Sequence, residues 1–300
     1  MQPLAKIFAI ALLIASTTAL AADEPASTTP PATAASPAKT DNAKKYTLRY
    51  QFKPGETIRN RVTQQSKIET TIAGSTQVAE MTSISTKAWK VTEIDDQGKI
   101  TFETVIENID MRNKLSGREE VRYNSETDLK APPGYETAAA SIGKVLTTIT
   151  IDPAGKLLKR VKQNQKTVDA DDGAQVVVPL PEGPVAVGGY WSVPIPIKYS
   201  LDKKSVLTLN AKVRYELMKV DGNIAEIAVE TVLPPVKDPA VMAQVMQRLT
   251  NGKIRFDLAA GRIVSQQSDL DERVVGFSGP ESSLHYLGRF TENLTPAGEK

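Results

Sequence analysis

Two stretches decide the fold of this chain: ITIDPAGKLLKR, from Ile149 to Arg160, and its looser echo IRFDLAAGRIVSQ, which begins at Ile254. In each, an apolar run leads into an Asp, a short turn and a Gly beside a basic residue, and a second apolar run leads out. A phosphate loop needs several glycines before a Lys-Ser or Lys-Thr that opens a helix; here Gly155-Lys156 opens a strand. The residues are turn chemistry instead. Asp152 bonds local backbone amides, Pro153 fixes φ, and Gly155 takes the left-handed position. Both stretches therefore read as β-hairpins.

Similar units fill the rest of the chain in a repeating order. YTLRYQF, Tyr46 to Phe52, alternates with period two, which predicts a strand. The β-branched run from Thr57 to Val91, broken at Ala73 to Ser75, predicts a hairpin of two long strands. WKVTEIDDQGKITFE then turns at Asp95, Asp96 and Gly98, and YELMKVDGNIAEIAVETVL repeats that unit around Asp221. Each half also carries a candidate helix. One is Tyr135 to Leu146. The other is DPAVMAQVMQRL, with Asp238 as N-cap, Pro239 at the first helical position and Gly252 just beyond the end. Long strands, an Asp-turn hairpin, a helix and an Asp-Gly hairpin thus occur twice in one order. That predicts an internal duplication, with a first half over 46–168, a Gly/Pro-dense connector over 169–189 and a second half over 190–300.

The beginning of the sequence suggests where the chain goes. Lys6, the apolar run Ile7 to Ala15, and Ala19 with Ala21 predict a secretory signal peptide over 1–21. Residues 22–45 are rich in Ala, Pro, Ser and Thr and predict a disordered linker. The chain has 300 residues and no cysteine, which excludes disulfides, thiolate catalysis and cysteine-ligated zinc. Its core alone must hold it, and a domain of this size can bury roughly 70% of its unfolded surface. The formal charge of +2 gives no general pull toward nucleic acid or anionic lipid. The expectation is an exported protein, periplasmic or extracellular, with no transmembrane segment in the mature chain and no nucleic-acid partner.

Few residues offer chemistry. The single histidine, His285, has no nucleophile motif beside it, so it reads as a strand residue facing solvent or bonded to backbone. The adjacent acids Asp95-Asp96, Glu119-Glu120, Asp171-Asp172 and Asp271-Glu272 point to opposite faces wherever they lie in strands. DADDG, with Asp169, Asp171 and Asp172, lacks the downstream Glu of a calcium loop. The basic run Lys156, Lys159, Arg160, Lys162 and Lys166 reads as a guarded sheet edge, since it has no interleaved aromatics. VPIPIKY, with prolines at alternate positions, fits only an edge strand.

The strongest binding feature is the second helix. Val241, Met242, Val245, Met246 and Leu249 form an apolar stripe at helical spacing, and methionine suits surfaces that meet varied apolar ligands. The stripe packs on the sheet whether it serves as permanent core or as a ligand site, so ligand-free packing does not separate the two readings.

YTLRYQFKPGET, VTEIDDQGKITFE, TTITIDPAGKLLKR and DERVVGFSGPESSLHYLGRF together resemble a family of uncharacterised secreted bacterial proteins, a domain of unknown function. The resemblance covers most of Tyr46 to Leu294 and implies no activity. In element order alone the chain is also similar to exported lipoprotein carriers, in which a curved antiparallel sheet is lidded by helices around an apolar cavity. Duplication and a scarcity of aromatics set it apart from them.

The expected fold is mainly β (α+β), with antiparallel curved sheets in two duplicated halves, each carrying one short helix packed on the sheet. The first and last strands, Tyr46 to Phe52 and Leu284 to Phe290, are expected to pair and close the domain. The expected function is a non-enzymatic binding protein of the cell envelope, holding an apolar small molecule or lipid at Val241, Met242, Val245, Met246 and Leu249, with no cofactor or metal. The alternatives are an envelope scaffold or adhesion module whose partner is another protein and, ranked last, a carboxylate-based hydrolase.

Overall fold

A computed structural model describes residues 44–162, 177–200 and 205–296. The expected signal peptide, most of the expected linker, the DADDG acids and Lys166 lie outside these residues.

In chain order the strands are β1 (Lys45–Tyr46), β2 (Thr57–Ile72), β3 (Ser75–Ile94), β4 (Ile100–Leu115), β5 (Val121–Asn124), β6 (Val145–Ile151) and β7 (Leu157–Lys162). There follow β8 (Val185–Ala186), β9 (Tyr190–Ser200), β10 (Val206–Asp221), β11 (Ile224–Val232), β12 (Asn251–Asp257), β13 (Arg262–Val275) and β14 (Ser283–Leu294). Helix α1 is Glu136–Ser141, and α2 is Pro239–Val245, continued by a 3₁₀ turn over Met246–Arg248.

Twelve strands form one antiparallel sheet. Its order is β7-β6-β4-β3-β2-β14-β13-β12-β11-β10-β9, with β5 beside β4 and with β1 and β8 forming a separate pair. The sheet is open, and β7 and β9 are its edges. One sheet therefore runs through both halves of the sequence. The run β3, β4, α1, β6, β7 has the same order of strands and helix as β10, β11, α2, β12, β13, except that β5 stands between β4 and α1 without a counterpart. Among the described residues no helix is long and apolar enough to cross a membrane.

The turns follow the sequence chemistry. Asp152 Oδ1 accepts from the N–H groups of Ala154 and Lys156, both at 2.9 Å, and Gly155 has φ 79°. Asp257 Oδ1 does the same for Ala259 and Ala260, both at 2.9 Å, and Gly261 has φ 61°. Ala73 and Gly74 form the two-residue turn between β2 and β3 with φ 49° and 75°, the positive-φ pair of a type I′ hairpin. Both edge predictions hold: β9 carries Pro194 and Pro196, and the lysine-bearing β7 lies at the other edge.

The main core fills the end of the sheet where the Asp152 and Asp257 turns lie, away from the Ala73–Gly74 turn. Trp89 stacks on Phe102 in the first half, Trp191 stacks on Tyr215 in the second, and Tyr50 meets Phe256 edge-on between them. Val177, Val178, Leu180 and Val185 of the connector join the same cluster, so its described part is core rather than open linker.

Four expectations fail for identifiable reasons. Tyr46 to Phe52 is not a strand of the sheet. Leu48 and Tyr50 are buried, which explains the alternation, but the backbone bonds run to turns: Tyr50 N–H to Pro153 O at 2.8 Å and Gln51 N–H to Gly261 O at 2.9 Å. The segment is thus held by the two Asp turns at once, and Arg49 ties it further to the carbonyls of Pro181 and Glu182. The closing pair is also different. β14 pairs with β13 and with β2, Leu284 opposite Thr70 and Phe290 opposite Gln64, because β2 offers a full-length partner. Helix α1 is shorter than Tyr135 to Leu146, since Gly143 takes φ 72° and Val145 begins β6. Finally, Gly252 is not a helix stop. It lies in β12, where a Cβ would come within 2.0 Å of Gln267 O.

Candidate functional site

Helix α2 starts as its sequence directs. The Asp238 carboxylate accepts from Ala240 N–H at 2.8 Å, and Pro239 sits in the first turn, where a missing N–H costs nothing. Val245 and Met246 are fully buried, Val241 nearly so, and Met242 and Leu249 partly. The stripe divides between two apolar clusters. Val241 and Val245 meet Ile197 of β9 and Ala211 of β10. Met246, with Met242 and Leu249, meets Ile68, Val274 and Leu284 of β2, β13 and β14. The helix therefore bridges the edge of the sheet to its middle. Gln244 fastens it to the edge by accepting from Ser200 N–H at 2.9 Å and donating to Ser200 O at 2.8 Å.

A second feature lies on the same face of the sheet, nearer the main core. A small, partly open cavity of about 30 Å³ is lined by Tyr50, Phe52, Trp89, Asn60, Gln266 and Glu292, among others. Register explains why these meet. Ser85, Val62, Glu292 and Gln266 form one row across β3, β2, β14 and β13, and directly opposed residues point to one face. Gln266 Nε2 donates to Glu292 Oε2 at 2.5 Å. Glu292 and Asn60 are both buried, and Trp89 Nε1 is buried without a hydrogen-bond partner. The other indole is satisfied, since Trp191 Nε1 donates to Pro179 O at 2.8 Å. Burial pushes the Tyr50 phenol well above its ordinary pKa, with Tyr215 and Glu292 adding to the rise, while the bond to Val178 O opposes it. Arg262 borders the cavity, lies over the Phe52 ring and pairs with Glu56 at 2.6 Å. Burial alone would raise the Glu56 pKa. The Arg262 guanidinium, the Lys53 N–H and the Lys53 charge outweigh it and hold the carboxyl below its usual value.

The opposite face of the same strands bears a groove of about 740 Å³, bordered by Lys67, Glu80, Asp269, Asp271, Leu287 and Arg289 among others. His285 sits beside it in β14. Its Nε2 lies 2.7 Å from Asp271 Oδ1 and its Nδ1 lies 3.2 Å from the Arg273 guanidinium, with Glu69 at 3.8 Å. Both nitrogens are thereby engaged, and the histidine clasps β13 to β14 through side chains rather than backbone. Asp271 and Glu272 point to opposite faces, opposite Leu287 and Tyr286 respectively. Asp95 caps its own turn, accepting from Gln97 and Lys99 N–H at 2.9 and 2.8 Å. Among the described residues no group of three or more potential ligands is placed to hold a metal.

The cavity was missed in the sequence, although one signal pointed to it. In SLHYLGRFTENL, Glu292 keeps phase with Leu284, Tyr286 and Phe290, and Asn60 keeps phase with Ile58 and Val62. A polar residue in phase with an apolar face marks a buried polar position.

No protein-family model matches the chain, and no curated protein matches it. Two solved structures share distant geometry. One, described as "Lipid-protein interactions in lipovitellin", has a TM-score of 0.38 and 14% identity over 83% of this chain, which spans 26% of the lipovitellin chain. The other is DynF from the dynemicin biosynthesis pathway of Micromonospora chersina, with a TM-score of 0.21 and 8% identity over 88% of this chain and 95% of that one. At such scores neither likeness bears on function. The resemblance to secreted bacterial proteins rests on the quoted motifs alone.

Proposed function

We propose that the chain is an exported, non-enzymatic binding protein of the cell envelope that holds an apolar or lipid ligand between its sheet and helix α2. The observation that carries this reading is the position of α2. One short helix covers two separate apolar clusters, so lifting it uncovers Ile68, Val274 and Leu284 together with Ile197 and Ala211. Met242 and Met246 then face the opened space with unbranched, adaptable side chains. Export is supported by the signal-like residues 1–21. Duplication is supported by the recurring order of strands and helices around the two Asp turns.

The protein purified from a bacterial periplasm tests this. Native mass spectrometry should show an added lipid-sized mass that organic extraction removes, and Met242→Gln should reduce it while the protein stays folded. An apo mass, with no uptake from phospholipid vesicles, would refute the reading. A scaffold role is the second reading, favoured by the groove across β3, β2, β14 and β13, whose charges of both signs suit a polar protein surface. Capture of an envelope protein that Lys67→Glu and Arg289→Glu abolish would support it over the carrier.

A further inference from the structure

We propose that the small cavity between Trp89 and Glu292 is a hydration site, occupied by one or two water molecules that join strands of the two halves. Size sets the first limit. A water needs roughly 10–15 Å³, so about 30 Å³ holds one or two and leaves no room for a lipid.

Chemistry sets the second limit. The Trp89 indole can only donate, and its Nε1 is buried without a partner. Glu292 as carboxylate can only accept, and Gln266 fills one of its positions. The Asn60 amide can do either. A water accepts from the indole and donates to the carboxylate, which satisfies both. A small cation would suit the carboxylate and the aromatic rings, but it would leave the indole N–H facing another positive charge. The nearby Arg262 is already committed to Glu56. Water is the occupant that fits every group.

The four polar groups come from four neighbouring strands, β3, β2, β14 and β13, two from each side of the line where the first and last long strands meet. The water therefore adds a side-chain link from Trp89 on β3 to Glu292 on β14, beside the direct Gln266–Glu292 bond and the β2–β14 ladder.

The two tryptophans provide the test and its control. In water-selective NOE and ROE spectra of the folded, ¹⁵N-labelled protein, the Trp89 indole proton should show a cross-peak to water with the sign of dipolar contact. The Trp191 indole, bonded to Pro179 O, should show none. Trp89→Phe assigns the signals, and Trp191→Phe does so by elimination if the first variant fails to fold. A Trp89 indole with no water cross-peak, or with one of purely exchange sign, would overturn the proposal. A crystal structure should place a water about 2.7–3.2 Å from Nε1. A metal ion there, or a protein oxygen accepting directly from Nε1, would overturn it equally.

Discussion

Asp152→Ala examines how the N-terminal segment is held. The side chain accepts two backbone N–H groups at 2.9 Å. A net hydrogen bond contributes about 0.5–1.5 kcal/mol, and water can reach the exposed Lys156 amide once the carboxylate is gone, so the expected loss is about 1–2 kcal/mol. For a domain of this size that lowers Tm by about 2–8 °C. Asp152→Asn keeps an acceptor and should cost under about 0.5 kcal/mol. Asp257→Ala should resemble Asp152→Ala. The informative variant is the double substitution. Residues 50 and 51 bond to the two turns, one each, so loosening either turn already frees much of that segment. The double loss should therefore fall short of the sum by more than about 0.5 kcal/mol. Urea unfolding followed by the fluorescence of Trp89 and Trp191 supplies the cycle. Strict additivity would show that the segment does not couple the turns. A stability of Asp152→Ala that matches wild type but depends on added phosphate would revive the anion-loop reading.

Ala73 occupies a positive-φ position that Asn tolerates better, so Ala73→Asn should stabilise the protein by about 0.5–1 kcal/mol in a thermal melt; a lower Tm would contradict the turn assignment. Gly252→Ala drives a Cβ into the backbone of β13 and should cost at least about 2 kcal/mol in urea unfolding, whereas a helix-stop glycine at an exposed end would cost far less. Glu56 has a folded pKa below its unfolded value. Its contribution is therefore present above the unfolded pKa of 4.5 and lost as pH falls through the folded pKa. The stability gap between wild type and Glu56→Gln should narrow from pH 7 to pH 3, and a constant gap would remove the Arg262 pair as its cause.

The hairpins were legible because their turns depend on local chemistry: Asp152, Asp257 and Asp95 each bind amides within four residues. The edge strands were legible for the same reason, since proline and lysine declare where a sheet may stop. Failures came where a distant neighbour decides. The alternation in Tyr46 to Phe52 reports burial correctly, yet only the position of two remote turns shows that its amides do not join a ladder. Gly252 had the look of a helix stop until a facing strand gave it a packing reason. The five residues of the helix stripe were recognisable as one face, but their division between an edge cluster and a central cluster depends on sheet order, which no local pattern encodes.

The central place of β14 also governs how the chain can be made. Synthesis delivers β2 well before β14, so until β14 emerges β2 has a neighbour on one side only. When β13 emerges it too waits with an open flank. Two long, unpaired flanks then exist in the same nascent chain, each able to recruit the wrong strand. A chain halted at residue 282 would keep every hairpin except β13–β14 and still present both flanks permanently, so it should aggregate. Loss of an equally long piece of either outer edge would leave the sheet narrower but still joined.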